Sequence, residues 1–170
     1  MTMQFNQYAA RDFAYQEAVA RYRKNLRHYI AFHAGDVNPT LTGKTTIEVI
    51  GMFWQDCAAL SMLNAGDAEE QRLEDAIQAL RFGCACGVDC TTRHRKFHQT
   101  LLHIADRSLS ASFRPIWSNH AQFIRFPTTR MTQARILATI RHLPFHASWG
   151  NDDSAALLMT RYLDIIMNSR

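Results

Sequence analysis

Three cysteines and two histidines lie close together in the middle of the chain, within the segment FGCACGVDCTTRHRKFH at residues 82–98. The candidate metal ligands are Cys84, Cys86, Cys90, His94 and His98. Thiolates and imidazoles are ligands that zinc prefers, and a helix starting near Cys90 would place Cys90, His94 and His98 on one face. A glycine-containing turn would let Cys84 or Cys86 complete a tetrahedron. One hypothesis is therefore a zinc site, structural or hydrolytic.

The same segment also has a simpler interpretation. The spacing C-x-C-x3-C-x3-H-x3-H matches no common zinc finger, and nearby cations would compete with a metal ion. A cysteine thiol often behaves as a small buried hydrophobe, so Cys84 is also expected in the core, with the histidines on a solvated basic face. Thiol redox chemistry is a third interpretation. With no secretory signal before them, the four cysteines are expected to be thiols and not a disulfide framework.

Positive charge is concentrated in the second half of the chain. Residues 1–90 hold 8 basic and 11 acidic side chains, whereas residues 91–170 hold 11 basic and 4 acidic ones. The cations that we predict to form a binding face are Arg93, Arg95, Lys96, Arg107, Arg125, Arg130, Arg135 and Arg141. Clustered cations attract polyanions, and guanidinium groups match carboxylate and phosphate geometry. The segment 93–141 is therefore the predicted contact surface.

Two kinds of partner fit this surface, namely an acidic protein surface and nucleic acid. The best candidate for a helix-turn-helix pairs residues 129–143 with 153–167, but about nine residues join the two helices where the motif has about three or four. No RNA-binding signature or basic-zipper pattern is present. We therefore expect a regulatory or adaptor protein that binds another protein, with DNA or RNA binding as the alternative and zinc binding as the second alternative.

Apolar residues recur at helical spacing along the whole chain, which predicts an all-α fold. Predicted helices cover about residues 6–33, 45–65, 67–82, 92–110, 115–127, 129–143 and 153–167. Asp67 followed by Glu70 has the spacing of an N-terminal cap, and Pro144 is expected to end the helix at 129–143. They are expected to form one domain over residues 1–170, a single compact globular bundle of about six or seven helices. The second helix is apolar nearly all round and is expected at the centre. A tyrosine stripe on the first helix leaves a homodimer open.

Composition narrows the functional classes. The apolar share of 47% and the charged share of 20% exclude a disordered or low-complexity chain. The longest apolar stretch is too interrupted to span a membrane, and the first ten residues lack a signal sequence, so we expect a cytoplasmic protein without a membrane partner. Paired catalytic carboxylates and the H-E-x-x-H motif are absent, and we predict no catalytic residue and no cofactor other than zinc.

Overall fold

The all-α prediction is confirmed by a computed structural model, which describes residues 2–33, 46–112, 124–149 and 152–168. The helices are α1 (Thr2–His33), α2 (Thr46–Asn64), α3 (Asp67–Cys86), α4 (Cys90–Ala105), α5 (Arg107–Ser112), α6 (Arg130–Ile140), α7 (Leu143–Trp149) and α8 (Asp152–Asn168). The described residues contain no strand. Most of the helix predicted at 115–127 lies outside the described residues.

Helix α2 lies at the centre of the bundle, as its apolar sequence predicts. It packs against α1, α4, α7 and α8. Phe53, Trp54, Cys57 and Ala58 are fully buried in it. A helix that is apolar on every side is stable only when other elements cover each side, and these neighbours do so. None of the described helices combines the length and the apolar character that crossing a membrane would require.

Aromatic packing joins α1 to α2. The Tyr29 ring stacks on Phe53 with centroids 3.9 Å apart and planes 5° apart, and Tyr22 approaches the same ring at 5.8 Å. Aromatic rings that pack against each other stabilise a core beyond their buried area. This part of the tyrosine stripe is therefore used within the chain. A homodimer through α1 stays a prediction. Phe13 and Tyr15 are exposed on α1 and could contribute to such an interface.

Two carboxylates fasten α1 to the rest of the bundle. The Tyr22 hydroxyl donates a hydrogen bond to Asp106 across 2.9 Å, and the other oxygen of Asp106 accepts the backbone N–H of Leu109 across 3.1 Å. Asp106 therefore caps the start of α5 while it holds α1. The buried Asn25 amide donates to Asp56 on α2. These polar contacts fix how α1 lies along the central helix.

Two helix boundaries differ from the sequence predictions. The N-terminal cap of α3 is Gly66 and not Asp67, because the Glu69 carboxylate accepts the Gly66 N–H across 3.1 Å. Pro144 does not end a helix but is the second residue of α7. Proline has no N–H to lose in the first turn of a helix, so a proline there is compatible with a new helix as well as with a break.

Candidate functional site

The cysteine and histidine segment forms the tight junction between α3 and α4. Gly87 ends α3 in the left-handed conformation at φ 68°, and the backbone N–H of Val88 donates to the Gly83 carbonyl across 2.9 Å. Asp89 is also left-handed, at φ 53°. Helix α4 then begins at Cys90. The early helix start that places Cys90, His94 and His98 on one face is therefore present.

Close approach across this junction requires a glycine at position 83. A Cβ atom there would lie 2.6 Å from Cδ of Arg93 and 2.7 Å from the carbonyl oxygen of Val88. Arg93 lies over this position, donates from Nη1 to the Ala79 carbonyl across 2.8 Å, and holds its guanidinium 5.3 Å from the Phe82 ring centroid. The side chain of Arg93 thus closes the junction and is only half exposed.

Substituting Gly83 tests this close packing. We expect Gly83→Ala to lower the free energy of unfolding by about 1 to 3 kcal/mol, because the added methyl group overlaps backbone as well as side-chain atoms. The matched control is Gly51→Ala in α2, where a Cβ meets nothing within 4 Å. There the better helix propensity of alanine should raise the free energy of unfolding by about 0.5 to 1 kcal/mol. Urea denaturation of both variants measures the difference, and equal effects would refute the junction geometry.

The two histidines lie in the core, where their rings form a polar cluster with Tyr162. His94 is 1% exposed and His98 is 0% exposed, and both Nε2 atoms hydrogen-bond to the Tyr162 hydroxyl of α8, the His98 bond at 2.5 Å. Trp54 packs edge-on against His98 with centroids 4.3 Å apart, and Phe126 lies 4.8 Å from His94. The expectation that these histidines lie on a solvated basic face is therefore wrong.

The hydrogen-bond inventory of this cluster determines its protonation pattern. A phenol has one proton, so the Tyr162 hydroxyl donates a hydrogen bond to the Nε2 atom of one histidine and accepts a hydrogen bond from the Nε2–H group of the other. When both rings are neutral, one histidine carries its proton on Nε2 and the other on Nδ1. The histidines face inward because α4 turns its apolar stripe, which includes Phe97 and Leu101, toward the bundle, and positions 94 and 98 lie on that stripe.

In the described part of the chain, the cysteines do not join the histidines in a set of metal ligands. Cys84 and Cys90 are half-buried, Cys86 is exposed, and Cys57 is fully buried in α2. Burial, together with the neighbouring Cys90, raises the pKa of the Cys84 thiol to about 12. Among the described residues, no group of three or more His, Cys, Asp or Glu side chains is placed to hold a metal ion. The zinc prediction therefore gains no support from this arrangement.

Most of the predicted basic residues are exposed but do not share one face. Those exposed to solvent are Arg95, Lys96, Arg107, Arg125, Arg130, Arg135 and Arg141. Arg135 lines a groove between α6 and α8 together with Asp164, whereas Arg130 faces α3. Arg95 and Lys96 lie on the solvent side of α4. The linear cluster of cations is thus distributed over several sides of the bundle.

One group of cations does converge, at the end of α3. A groove of about 220 Å³ between α3 and α6 is lined by Arg81, Cys84, Ala85, Arg130, Gln133, Ala134 and Leu137. Phe82, the next residue after Arg81, is 59% exposed and lies under the Arg93 guanidinium. We call Arg81, Phe82, Cys84, Arg93 and Arg130 the junction surface. Asp89 is an exposed acidic residue in the turn that follows α3. The acidic residues of α3 itself lie in its first half, between Asp67 and Asp75.

Sequence reasoning missed two residues of these arrangements. Arg81 lies in the acidic first half of the chain, but it precedes Cys84 by three positions and so shares its helix face, which was a usable signal. Tyr162 lies among the buried apolar residues of α8, and nothing local in the sequence indicates that its hydroxyl reaches His94 and His98. No family model, curated protein or solved structure matches this chain.

Proposed function

We propose that this protein is a non-enzymatic regulatory or adaptor protein that binds an acidic segment of another protein at the junction surface. The observation that supports this proposal is the groove between α3 and α6, in which Arg81 and Arg130 flank apolar side chains. We place this activity in the cytoplasm, because the four cysteines are free thiols, which suit a reducing compartment.

The junction surface suits a peptide that carries both carboxylates and apolar side chains. Guanidinium groups bind carboxylates through two parallel hydrogen bonds, and Arg81 and Arg130 offer one such group from each side of the groove. Between them, Ala85, Ala134 and Leu137 provide an apolar floor. Interfaces between proteins are enriched in arginine and aromatic residues, and the exposed Phe82 adds that component.

A protein partner suits this arrangement better than nucleic acid does. Nucleic acids bind along tracks of cations that follow the phosphate backbone. Here the exposed cations diverge, since Arg95 lies on α4, Arg130 faces α3 and Arg135 lies beside Asp164. Two converging arginines with an apolar floor match a short acidic peptide segment. Nucleic acid binding through the same residues is the competing outcome of the test below.

A charge-reversal variant tests the proposal. The wild-type chain, the Arg81→Glu/Arg130→Glu variant and a control Arg161→Glu variant, changed at an exposed position of α8, are used to capture proteins from a lysate of the source cells. Each captured protein is then purified and titrated directly with the three chains at rising salt. We expect binding to fall by about 30-fold or more in the double variant, which loses roughly 1 to 3 kcal/mol per buried charge-assisted contact, and to persist in the control.

The same three chains are titrated with a mixed pool of short DNA and RNA fragments. Tight nucleic acid binding whose logarithm falls linearly with the logarithm of salt concentration, and which the double variant loses, would overturn the protein proposal in favour of nucleic acid. Equal binding of a purified partner by the wild type and the double variant would overturn the assignment of the junction surface. Circular dichroism of all variants checks that the helical fold is retained.

A further inference from the structure

Two thiols lie on either side of the junction between α3 and α4. Cys84 lies in the last turn of α3 and Cys90 is the first residue of α4, and both half-buried thiols pack against the same hydrophobic core. Burial and the nearby Cys90 sulfur together raise the pKa of the Cys84 thiol. We propose that Cys84 and Cys90 form an oxidation site that closes to an intramolecular disulfide, with a peroxide as the co-reactant. This inference does not depend on the partner proposed above, since the disulfide itself is the readout.

The backbone between the two cysteines holds them close. The hydrogen bond from the Val88 N–H to the Gly83 carbonyl and the left-handed residues Gly87 and Asp89 turn the chain sharply, so that α4 starts beside the end of α3. A disulfide requires sulfur atoms about 2 Å apart and Cβ atoms about 3.5 to 4.5 Å apart. Because the turn holds the two helix ends together, we expect this bond to require side-chain rotation and a small local movement of the turn.

The site is open to a small oxidant. Cys84 lines the groove that also contains Arg81 and Arg130, and Cys90 is half-buried at its side of the turn. Cys57, by contrast, is fully buried and cannot be reached in the folded protein. Cys86 is exposed, but two residues along a helix turn a side chain by about 200°, so it points away from the side on which Cys84 meets Cys90.

The proposed chemistry has two steps. The Cys90 thiolate attacks one oxygen of the peroxide, the O–O bond breaks, and the products are a sulfenic acid and water once the leaving oxygen is protonated. The Cys84 sulfur then attacks the Cys90 sulfur, the S–O bond breaks, and the second oxygen leaves as water with the Cys84 proton. The two thiols lose two electrons and two protons, and the peroxide is reduced to two waters. Burial and the Cys90 sulfur raise the pKa of Cys84, so this thiol keeps its proton until the second step.

Peptide mapping with an aspartate-specific protease tests the site directly. Cleavage before Asp75, Asp89 and Asp106 separates residues 75–88, which contain Cys84 and Cys86, from residues 89–105, which contain Cys90. The folded full-length chain is treated with hydrogen peroxide, and the remaining thiols are alkylated. The chain is then cleaved without reduction, and the masses of the fragments are measured by mass spectrometry. We expect the two fragments to be linked in the wild type and in Cys86→Ser, and the link to be lost in Cys84→Ser and Cys90→Ser.

A control in the denatured chain shows whether the choice of cysteine pair depends on the fold or only on the short distance between the cysteines in the sequence. In concentrated urea, all three thiols of the segment are equally accessible, so Cys84→Ser should then link the fragments through Cys86 as readily as Cys86→Ser links them through Cys84. A link in folded Cys84→Ser that disappears in Cys86→Ser would overturn the proposed pair. Fragments that stay unlinked in the folded wild type, with the thiols intact or oxidised separately, would overturn the disulfide.

Discussion

Replacing Tyr162 with phenylalanine is expected to lower the free energy of unfolding by about 2 to 4 kcal/mol, although the change removes one oxygen atom. The hydroxyl bonds to the Nε2 atoms of both His94 and His98, which are 1% and 0% exposed. A buried polar atom that loses its partner costs about 1 to 3 kcal/mol, because water cannot replace the lost hydrogen bond. In Tyr162→Phe, the Nε2 atoms of both histidines lose the Tyr162 hydroxyl as a partner. Urea denaturation at neutral pH measures the change.

Two further variants show that the hydrogen bonds cause this effect. Tyr15→Phe removes an exposed hydroxyl and should change the free energy of unfolding by less than about 0.5 kcal/mol. A triple variant that adds His94→Leu and His98→Leu to Tyr162→Phe removes the buried nitrogens as well, so it should be more stable than Tyr162→Phe alone. A Tyr162→Phe variant as stable as Tyr15→Phe would contradict the buried cluster.

The second large effect is a loss of stability in alkali. Burial raises the pKa of Tyr162, of Tyr29 and of Tyr22, and for Tyr22 the charges of Cys57 and Asp106 add to the shift. Burial and Asp106 likewise raise the pKa of Cys57. These groups stay protonated in the folded chain at a pH at which the unfolded chain releases their protons. The stabilisation is therefore complete below the unfolded pKa, near 10 for tyrosine, and is lost as the pH rises above it.

The expected size follows from linkage. Each tyrosine that ionises only in the unfolded chain lowers the free energy of unfolding by about 1.4 kcal/mol between about pH 9 and pH 11, so three lower it by about 4 kcal/mol. Urea denaturation at several pH values, followed by helical circular dichroism, measures the slope. In Tyr29→Phe, the free energy of unfolding should fall less steeply with pH, because one fewer proton is released on unfolding. Tyrosinate absorbance that rises while the helical signal stays native would contradict the buried state of these phenols.

Helical periodicity was sufficient to predict the fold class and the central position of α2. Its apolar residues face in every direction, and only burial on every side accommodates that pattern. Local signals near helix ends were less decisive. Glu69 and Glu70 both follow a possible cap, and the structure uses Glu69 with Gly66. Pro144 is compatible with either a helix end or a helix start, and the chain after it determines which one forms.

The side-chain chemistry was harder to predict than the fold. His94 and His98 were recognised at helical spacing beside Cys90, but a metal site and a hydrogen-bonded core cluster share that spacing. Whether a histidine meets a metal, water or a hydroxyl depends on the residue that a distant helix brings to it, and Tyr162 is 64 positions away from His98. Such a long-range contact leaves no local signal.

The spatial distribution of the basic residues was hard to predict for a related reason. Charge counts along the chain locate cations in sequence, whereas a binding surface depends on which cations converge in space. Arg93 closes the α3–α4 junction, Arg135 lines a groove with Asp164, and Arg81 lines a groove with Arg130. The helix packing, and not the local density of arginine, selects the residues of the junction surface.

Photo-crosslinking from position 82 tests the proposed function most directly. A photoreactive phenylalanine replaces the exposed Phe82 in one chain and the exposed Leu157 of α8 in a control chain, and both are irradiated in a lysate of the source cells. We predict that position 82 crosslinks to an acidic segment of another protein, that position 157 does not, and that Arg81→Glu/Arg130→Glu abolishes the product. Crosslinks from position 82 to nucleic acid, or the same products from both positions, would contradict the proposed partner and its surface.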